Sequence, residues 1–209
     1  MTTLVVRSDP KEIKRAGDMI HAGGLVAFPT ETVYGLAADV FNEQAVARVF
    51  QVKGRPAHNP LPVQIALMDD LPRLVSEIPP IAERLMREFW PGPLTLVFPA
   101  SPDVPKLVTA GTGKVGIRMP DHSVAWDLIR AAGTPIVAPS ANASGQPPPT
   151  TAEEVLRYLQ GKIELILDGG PTSLKVASTV VDVTQTPPKI LRVGSITREH
   201  ISGAISGDT

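Results

Sequence analysis

Four cations stand where a charge is either held rigid or costly to leave unpaired. In KGRPAHNPLPVQIA, residues 53–66, Lys53 and Arg55 are two residues apart. Gly54 breaks the helical pattern before them, and Pro56, Pro60 and Pro62 each remove a backbone donor. The stretch therefore reads as a rigid corner, neither helix nor ordinary strand. Arg118 lies inside the apolar segment VGIRMP and Arg192 inside KILRVG. A guanidinium in an apolar strand demands an anion, either a protein carboxylate or a carboxylate or phosphate of a ligand. Separate ion pairs would explain each cation singly, and one anionic ligand would explain all four together. The sequence leaves both open. Polar groups at strand ends extend the set: Thr30 and Thr32 flank Glu31 in PTETVYGL, and Ser140 and Asn142 lie in APSANASGQPPPT. Small residues there let the backbone approach a ligand, while hydroxyl and amide groups offer it partners.

The common signatures of nucleotide, metal and nucleophile chemistry do not fit. GTGKVG, residues 111–116, matches G-x-G-x-x-G, but it precedes a strand-like segment. No helix N-terminus follows to hold a pyrophosphate, so the segment reads as a flexible turn. Lys114 is followed by Val115, which excludes a phosphate-binding loop ending in Gly-Lys-Ser/Thr. His21, His58, His122 and His200 are scattered and there is no cysteine, so no protein metal ligands are expected. No G-x-S-x-G elbow is present.

The elements that must carry these residues alternate between helix and strand. Asp9 and Pro10 open a helix with Ile13, Ala16 and Ile20 on one face, and Leu25 to Phe28 form a short strand. Asn42 caps a helix over NEQAVARVFQVKG, and LPVQIAL is a strand. PIAERLMREFW is a helix with Ile81, Leu85 and Phe89 inward, followed by the strand PLTLVFPA. KVGIRMP, TPIVAP, KIELILDGG, ASTVVDVT and KILRVG are further strands. Helices are expected over HSVAWDLIRAAG, closed by Gly133, over TAEEVLRYLQG, and over TREHISGAI. The expectation is one α/β domain over residues 1–209, a mixed parallel and antiparallel sheet flanked by helices.

Composition narrows the class. The chain has 209 residues, 43% hydrophobic and 20% charged, with a net charge of −1. That balance suits a globular protein and lacks the basic excess of one drawn to nucleic acid over long range. The start shows no secretory signal and no apolar run approaches a membrane span, so a cytoplasmic address is expected.

The blocks PTETVYGLAADV, KGRPAHNPLPVQIA, WPGPLTLVF, VGIRMPDH, APSANASG and ASTVVDV…ILRVG, in that order, resemble the YrdC/TsaC family of threonylcarbamoyl-AMP synthases. The resemblance runs from about Ile13 to Gly194 and looks like the short form, without an appended C-terminal domain. It implies a twisted YrdC/RibB-type fold with a concave, positively charged face. It also implies a reaction of L-threonine, bicarbonate or carbon dioxide and ATP, with Mg²⁺ arriving on ATP. Downstream enzymes would pass the threonylcarbamoyl group to an adenosine of certain tRNAs. By the same resemblance, Lys53 and Arg55 clamp the triphosphate as the catalytic cations, with Asn59, Ser140, Asn142 and Arg192 completing the ATP site. Thr32, Gln64, Arg118 and Ser178 would bind threonine, Arg118 taking its carboxylate. Gln64 stands where histidine is common in the family, and Ala138 where serine or threonine often precedes PSAN. Two other functions fit the same blocks: an RNA-binding module with weak tRNA affinity, and a relative acting on another carbamoyl substrate.

Overall fold

A computed structural model describes residues 2–207. Met1, Asp208 and Thr209, included in the single-domain expectation, lie outside the described residues. The strands are β1 (Leu4–Arg7), β2 (Val26–Phe28), β3 (Gly35–Asp39), β4 (Val63–Gln64), β5 (Leu94–Pro99), β6 (Lys114–Arg118), β7 (Ile136–Val137), β8 (Leu165–Asp168), β9 (Thr179–Asp182) and β10 (Lys189–Arg192). They form one ten-stranded sheet in the order β1-β8-β2-β3-β7-β4-β6-β5-β9-β10. Pairing is mixed: β4–β6 and β5–β9 are parallel, for example, whereas β5–β6 and β3–β7 are antiparallel.

The helices are α1 (Pro10–His21), α2 (Glu43–Lys53), α3 (Leu71–Leu74), α4 (Pro80–Phe89), α5 (Lys106–Thr109), α6 (Ser123–Ala132), α7 (Ala152–Leu159) and α8 (Arg198–Ser206). Their starts follow from side chains that accept orphan backbone donors: Asp9 from Glu12, Asn42 from Ala45, Thr151 from Glu154 and Thr197 from His200. Gly54 and Gly133 end α2 and α6 in the left-handed conformation, at φ 58° and 67°.

Side-chain alternation along the sheet separates two cores. Val26 and Phe28 pack with Ile13 and Ile20 of α1 and Leu128 and Ile129 of α6. Ala27 points the other way, into a larger core with Val46 and Val49 of α2, Leu85 of α4 and Val155 of α7. On α4 the buried positions are Ala82, Leu85 and Met86; Ile81 and Phe89, expected inward, are only partly buried.

Three expectations are corrected. Lys53 is the last residue of α2 and is buried, so the rigid corner begins only at Gly54. The apolar runs around β4 and β7 pair over just two residues each, because proline precedes each strand. KILRVG does not bury Arg192 among apolar residues. β10 is an edge strand paired only with β9, and its Leu191 is 52% exposed. Strands β1 and β3 are not among those expected: β1, LVVR, carries a strand signal in Val5 and Val6, whereas β3, GLAAD, consists mostly of weak strand formers held by partners on both sides.

One half of the sheet matters most. In β5, Leu94, Leu96 and Phe98 enter the core, leaving Thr95 and Val97 on the opposite face. In β6, Val115 and Ile117 enter the core, leaving Lys114, Gly116 and Arg118 on that same opposite face. Leu96, fully buried, lies in that core, in register with Ile117 and Val181 on the neighbouring strands. Leu96→Ala is expected to lower unfolding stability by about 2–5 kcal/mol in urea denaturation; a loss below about 1 kcal/mol would contradict this packing.

Candidate active site

The face left open by β5, β6 and β9 is the floor of a cavity of about 440 Å³. Strand register brings its floor residues together. Gln64 lies opposite Arg118, Thr95 opposite Val180, and Val97 opposite both Gly116 and Asp182. A Cβ added at Gly116 would come within 3.3 Å of Thr95 Cγ2, so glycine leaves the floor hollow between Lys114 and Arg118. The walls come from Thr30 and Thr32, from Arg55 with Pro60 to Pro62, from Ala138 to Ser140, and from Ser178 with Arg192.

Arg118 is the deepest cation. Its Nη2 lies 2.6 Å from Glu31 Oε2, Nη1 donates to Thr32 Oγ1 at 2.9 Å, and Nε donates to the Gly92 carbonyl at 3.1 Å. The protein carboxylate that the sequence left open is thus Glu31. Arg118 and Glu31 form a close, buried ion pair, and only Oε1 of Glu31 is left without a partner. Burial pulls the Arg118 guanidinium below its ordinary range, and the Glu31 carboxylate pulls it back up. His122, half-buried at the start of α6, also feels Glu31, although burial lowers it overall.

Arg55 and Arg192 have no carboxylate partner among the described residues. Arg55 donates to the carbonyls of Asn59 at 3.1 Å and Pro60 at 2.7 Å. Arg192 donates to the Ser178 carbonyl through Nε and Nη2, at 3.1 and 2.8 Å, and to Ser178 Oγ at 3.2 Å. Burial lowers both guanidiniums below their ordinary range; Arg192 lowers Arg55 further, and Arg118 does the same to Arg192. Three cations on separate elements are close enough to repel one another across one hollow.

Of the remaining expected site residues, Ser140, Thr32, Gln64 and Ser178 line the cavity. Gln64 is buried with its Oε1 unpartnered, and Ser178 Oγ lies 2.8 Å from Thr95 Oγ1. Lys53, Asn59 and Asn142 are not brought to it. Lys53 Nζ donates to the carbonyls of Ser140 and, at 2.7 Å, Asn142. Asn59 contributes its backbone carbonyl to Arg55, and the Asn142 amide donates to the carbonyls of Ala143 and Gln146.

The fourth cation lining the cavity is Lys114, which the sequence put at the start of the strand KVGIRMP but not among the site residues. Its Nζ is 2.9 Å from Asp182 Oδ2, the one carboxylate lining the cavity among the described residues. The signal was available: Lys114, Gly116 and Arg118 share a face by the two-residue period of a strand. Asp182 is lowered by hydrogen bonds from Thr184 and Lys114, against the opposing effect of burial.

Burial, helped by Arg55, pulls the Lys53 amine from 10.5 down to about 7. The unfolded chain keeps that proton to higher pH, so this group makes stability rise with pH between about 7 and 10.5. A ¹³Cε NMR titration is expected to show a Lys53 midpoint near 7. A midpoint in the ordinary lysine range would contradict the burial described.

Comparison with known proteins bears on the family and the fold. The Sua5/YciO/YrdC family model, described as "Telomere recombination", matches residues 18–194. The chain is 51% identical over 199 residues to the Threonylcarbamoyl-AMP synthase of Pyrococcus abyssi, covering 95% of this chain and 58% of that one. It is 38% identical over 212 residues to a Mycobacterium tuberculosis relative, covering 100% of this chain and 97% of that one. The crystal structure of P. abyssi Sua5 complexed with L-threonine superposes with a TM-score of 0.93 at 50% identity, over 98% of this chain and 60% of that one. The chain thus spans less than two thirds of the Pyrococcus relative. The match over residues 18–194, together with half-identical relatives, makes the chain a member of the Sua5/YciO/YrdC family.

Proposed function

We propose that this chain is a threonylcarbamoyl-AMP synthase, a nucleotidyltransferase that converts L-threonine, bicarbonate or carbon dioxide, and ATP into threonylcarbamoyl-AMP and pyrophosphate. The observation that carries this reading is the cavity in which Arg55, Arg118 and Arg192 meet with a carboxylate partner for Arg118 alone. The name of the Pyrococcus relative and the L-threonine complex of its Sua5 support the same reading.

The chemistry suits such a site. The threonine amine adds to carbon dioxide, forming an N–C bond and losing a proton to give a carbamate. A carbamate oxygen then attacks the α-phosphorus of ATP, and the bond from that phosphorus to the bridging oxygen breaks as pyrophosphate leaves. No protein nucleophile is required; positioning and charge neutralisation supply the acceleration. Arg55 and Arg192 present forked donors suited to phosphate oxygens, and Ser140 adds a hydroxyl beside them. Arg118, paired with Glu31 and lining the same cavity, offers its positive charge to the threonine carboxylate. Thr32, Ser178 and the open Oε1 of Gln64 receive its remaining polar groups.

Mg²⁺ enters as part of the MgATP substrate, coordinated by phosphate oxygens. Asp182 is already engaged by Lys114 and Thr184, and the described residues hold no cluster of three or more metal-ligating side chains. The adenylate then passes, in the cytoplasm, to enzymes that modify tRNA; any tRNA contact by this chain is weak.

Pyrophosphate release from ATP and Mg²⁺ should require both L-threonine and bicarbonate, with L-serine a poor substitute. Turnover with carbamoyl phosphate but not with threonine plus bicarbonate would contradict the proposal. Arg55→Ala is expected to slow release by at least about tenfold, since a charge-assisted hydrogen bond contributes roughly 1.5–3 kcal/mol; full turnover would remove Arg55 from the phosphate site. Gln64→Leu should raise KM for threonine by about tenfold while leaving KM for ATP nearly unchanged. An unchanged threonine KM would remove Gln64 from the amino-acid site.

A further inference from the structure

Lys53 and Arg55 form one short motif, yet only Arg55 lines the cavity. Between them Gly54, in the left-handed conformation, ends α2 and swings the chain. Arg55 emerges into the cavity, whereas Lys53 stays beneath its wall, only 3% exposed.

The contacts of Lys53 all go to one segment. Its Nζ donates to the carbonyls of Ser140 and Asn142, and its own carbonyl accepts from the Ser144 amide at 2.8 Å. One residue thus fastens three positions of the loop running from 140 to 144. The same loop is also held where the chain enters β3, through the Ala141 amide donating to the Tyr34 carbonyl at 2.8 Å and a bridge between Gly35 and Ser140. Between these two anchors, Ser140 faces the cavity. The number of donors also fits a tether. A lysine amine has three N–H donors when charged and two when neutral, so it serves both carbonyls in either state.

We infer that Lys53 is a positioning residue: it ties the end of α2 to the carbonyls of Ser140 and Asn142, and so sets the wall that holds the nucleotide, without touching the nucleotide itself. Its consequence for catalysis rests on the nucleotide reading proposed above, but the tether does not. Lysine serves here because two buried carbonyls need donors at the tip of a long apolar stem. A hydrophobic replacement leaves both acceptors unpaired and frees the loop.

The test begins with ligand-free protein. Hydrogen exchange of amides 141–146 in Lys53→Met should rise by about tenfold, with amides of β5 and β6 unchanged. In pyrophosphate release, the same variant should raise KM for ATP by about tenfold and alter kcat by less than about threefold, with Lys53→Arg recovering much of the loss. A loop that exchanges as in wild type while ATP binding weakens would make Lys53 a direct ligand contact and overturn the inference. A measurement on the unaltered protein decides the matter should Lys53→Met fail to fold. In protein labelled with ¹³C-lysine and ¹⁵N-arginine, held well below pH 7 so that Lys53 stays charged throughout, MgATP should leave the Lys53 Cε signal in place while shifting the Arg55 Nε signal. A Lys53 shift with the same midpoint as Arg55 would overturn the tether. Failure of wild type to turn over threonine would sink the functional reading yet leave the loop-exchange result standing.

Discussion

Backbone carbonyls hold Arg55 and Arg192 without neutralising them, and Glu31 alone answers the charge of the third arginine of the site. Arg55 is gripped by the carbonyls of Asn59 and Pro60, Arg192 by that of Ser178, and Arg118 by that of Gly92 as well as by Glu31. A carbonyl satisfies a guanidinium donor and fixes its direction, but it brings no opposing formal charge. The fold thereby keeps positive potential in a partly desolvated hollow, where it acts more strongly than in water. An anionic ligand relieves both the repulsion and the desolvation, so binding energy is built in before the ligand arrives.

The sheet makes this possible by serving two purposes at once. In β5, β6 and β9, alternate residues build the core and the others build the cavity floor. Ion pairing is distributed unevenly across that floor. Lys114 is answered by Asp182 and Arg118 by Glu31, whereas Arg55 and Arg192 on the walls are left to the ligand. The proline-rich corner contributes in the same sense. Prolines have no N–H to offer, so the segment after Gly54 exposes carbonyls as acceptors for Arg55.

Much of this was legible in the residues. The caps at Asp9, Asn42 and Gly133 marked helix ends, and the expensive placement of Arg118 announced a buried anion. The rest depended on tertiary pairing. Strand β3, Gly-Leu-Ala-Ala-Asp, has little strand propensity of its own and is held as a strand by β2 and β7 on either side. Arg192 looked buried because KILRVG is apolar, but an edge strand exposes what a central strand would hide. Lys53 and Arg55 looked equivalent because they are two residues apart. The direction in which a left-handed glycine turns the chain separates them.

The central claim is that Arg55, Arg118 and Arg192 serve one ligand. It is tested most directly by following their ¹⁵Nε signals while the protein is titrated with an ATP analogue uncleavable between the α- and β-phosphates, in the presence of L-threonine, bicarbonate and Mg²⁺. The account predicts that all three signals move with a common midpoint. Separate midpoints, or a response confined to one arginine, would contradict it.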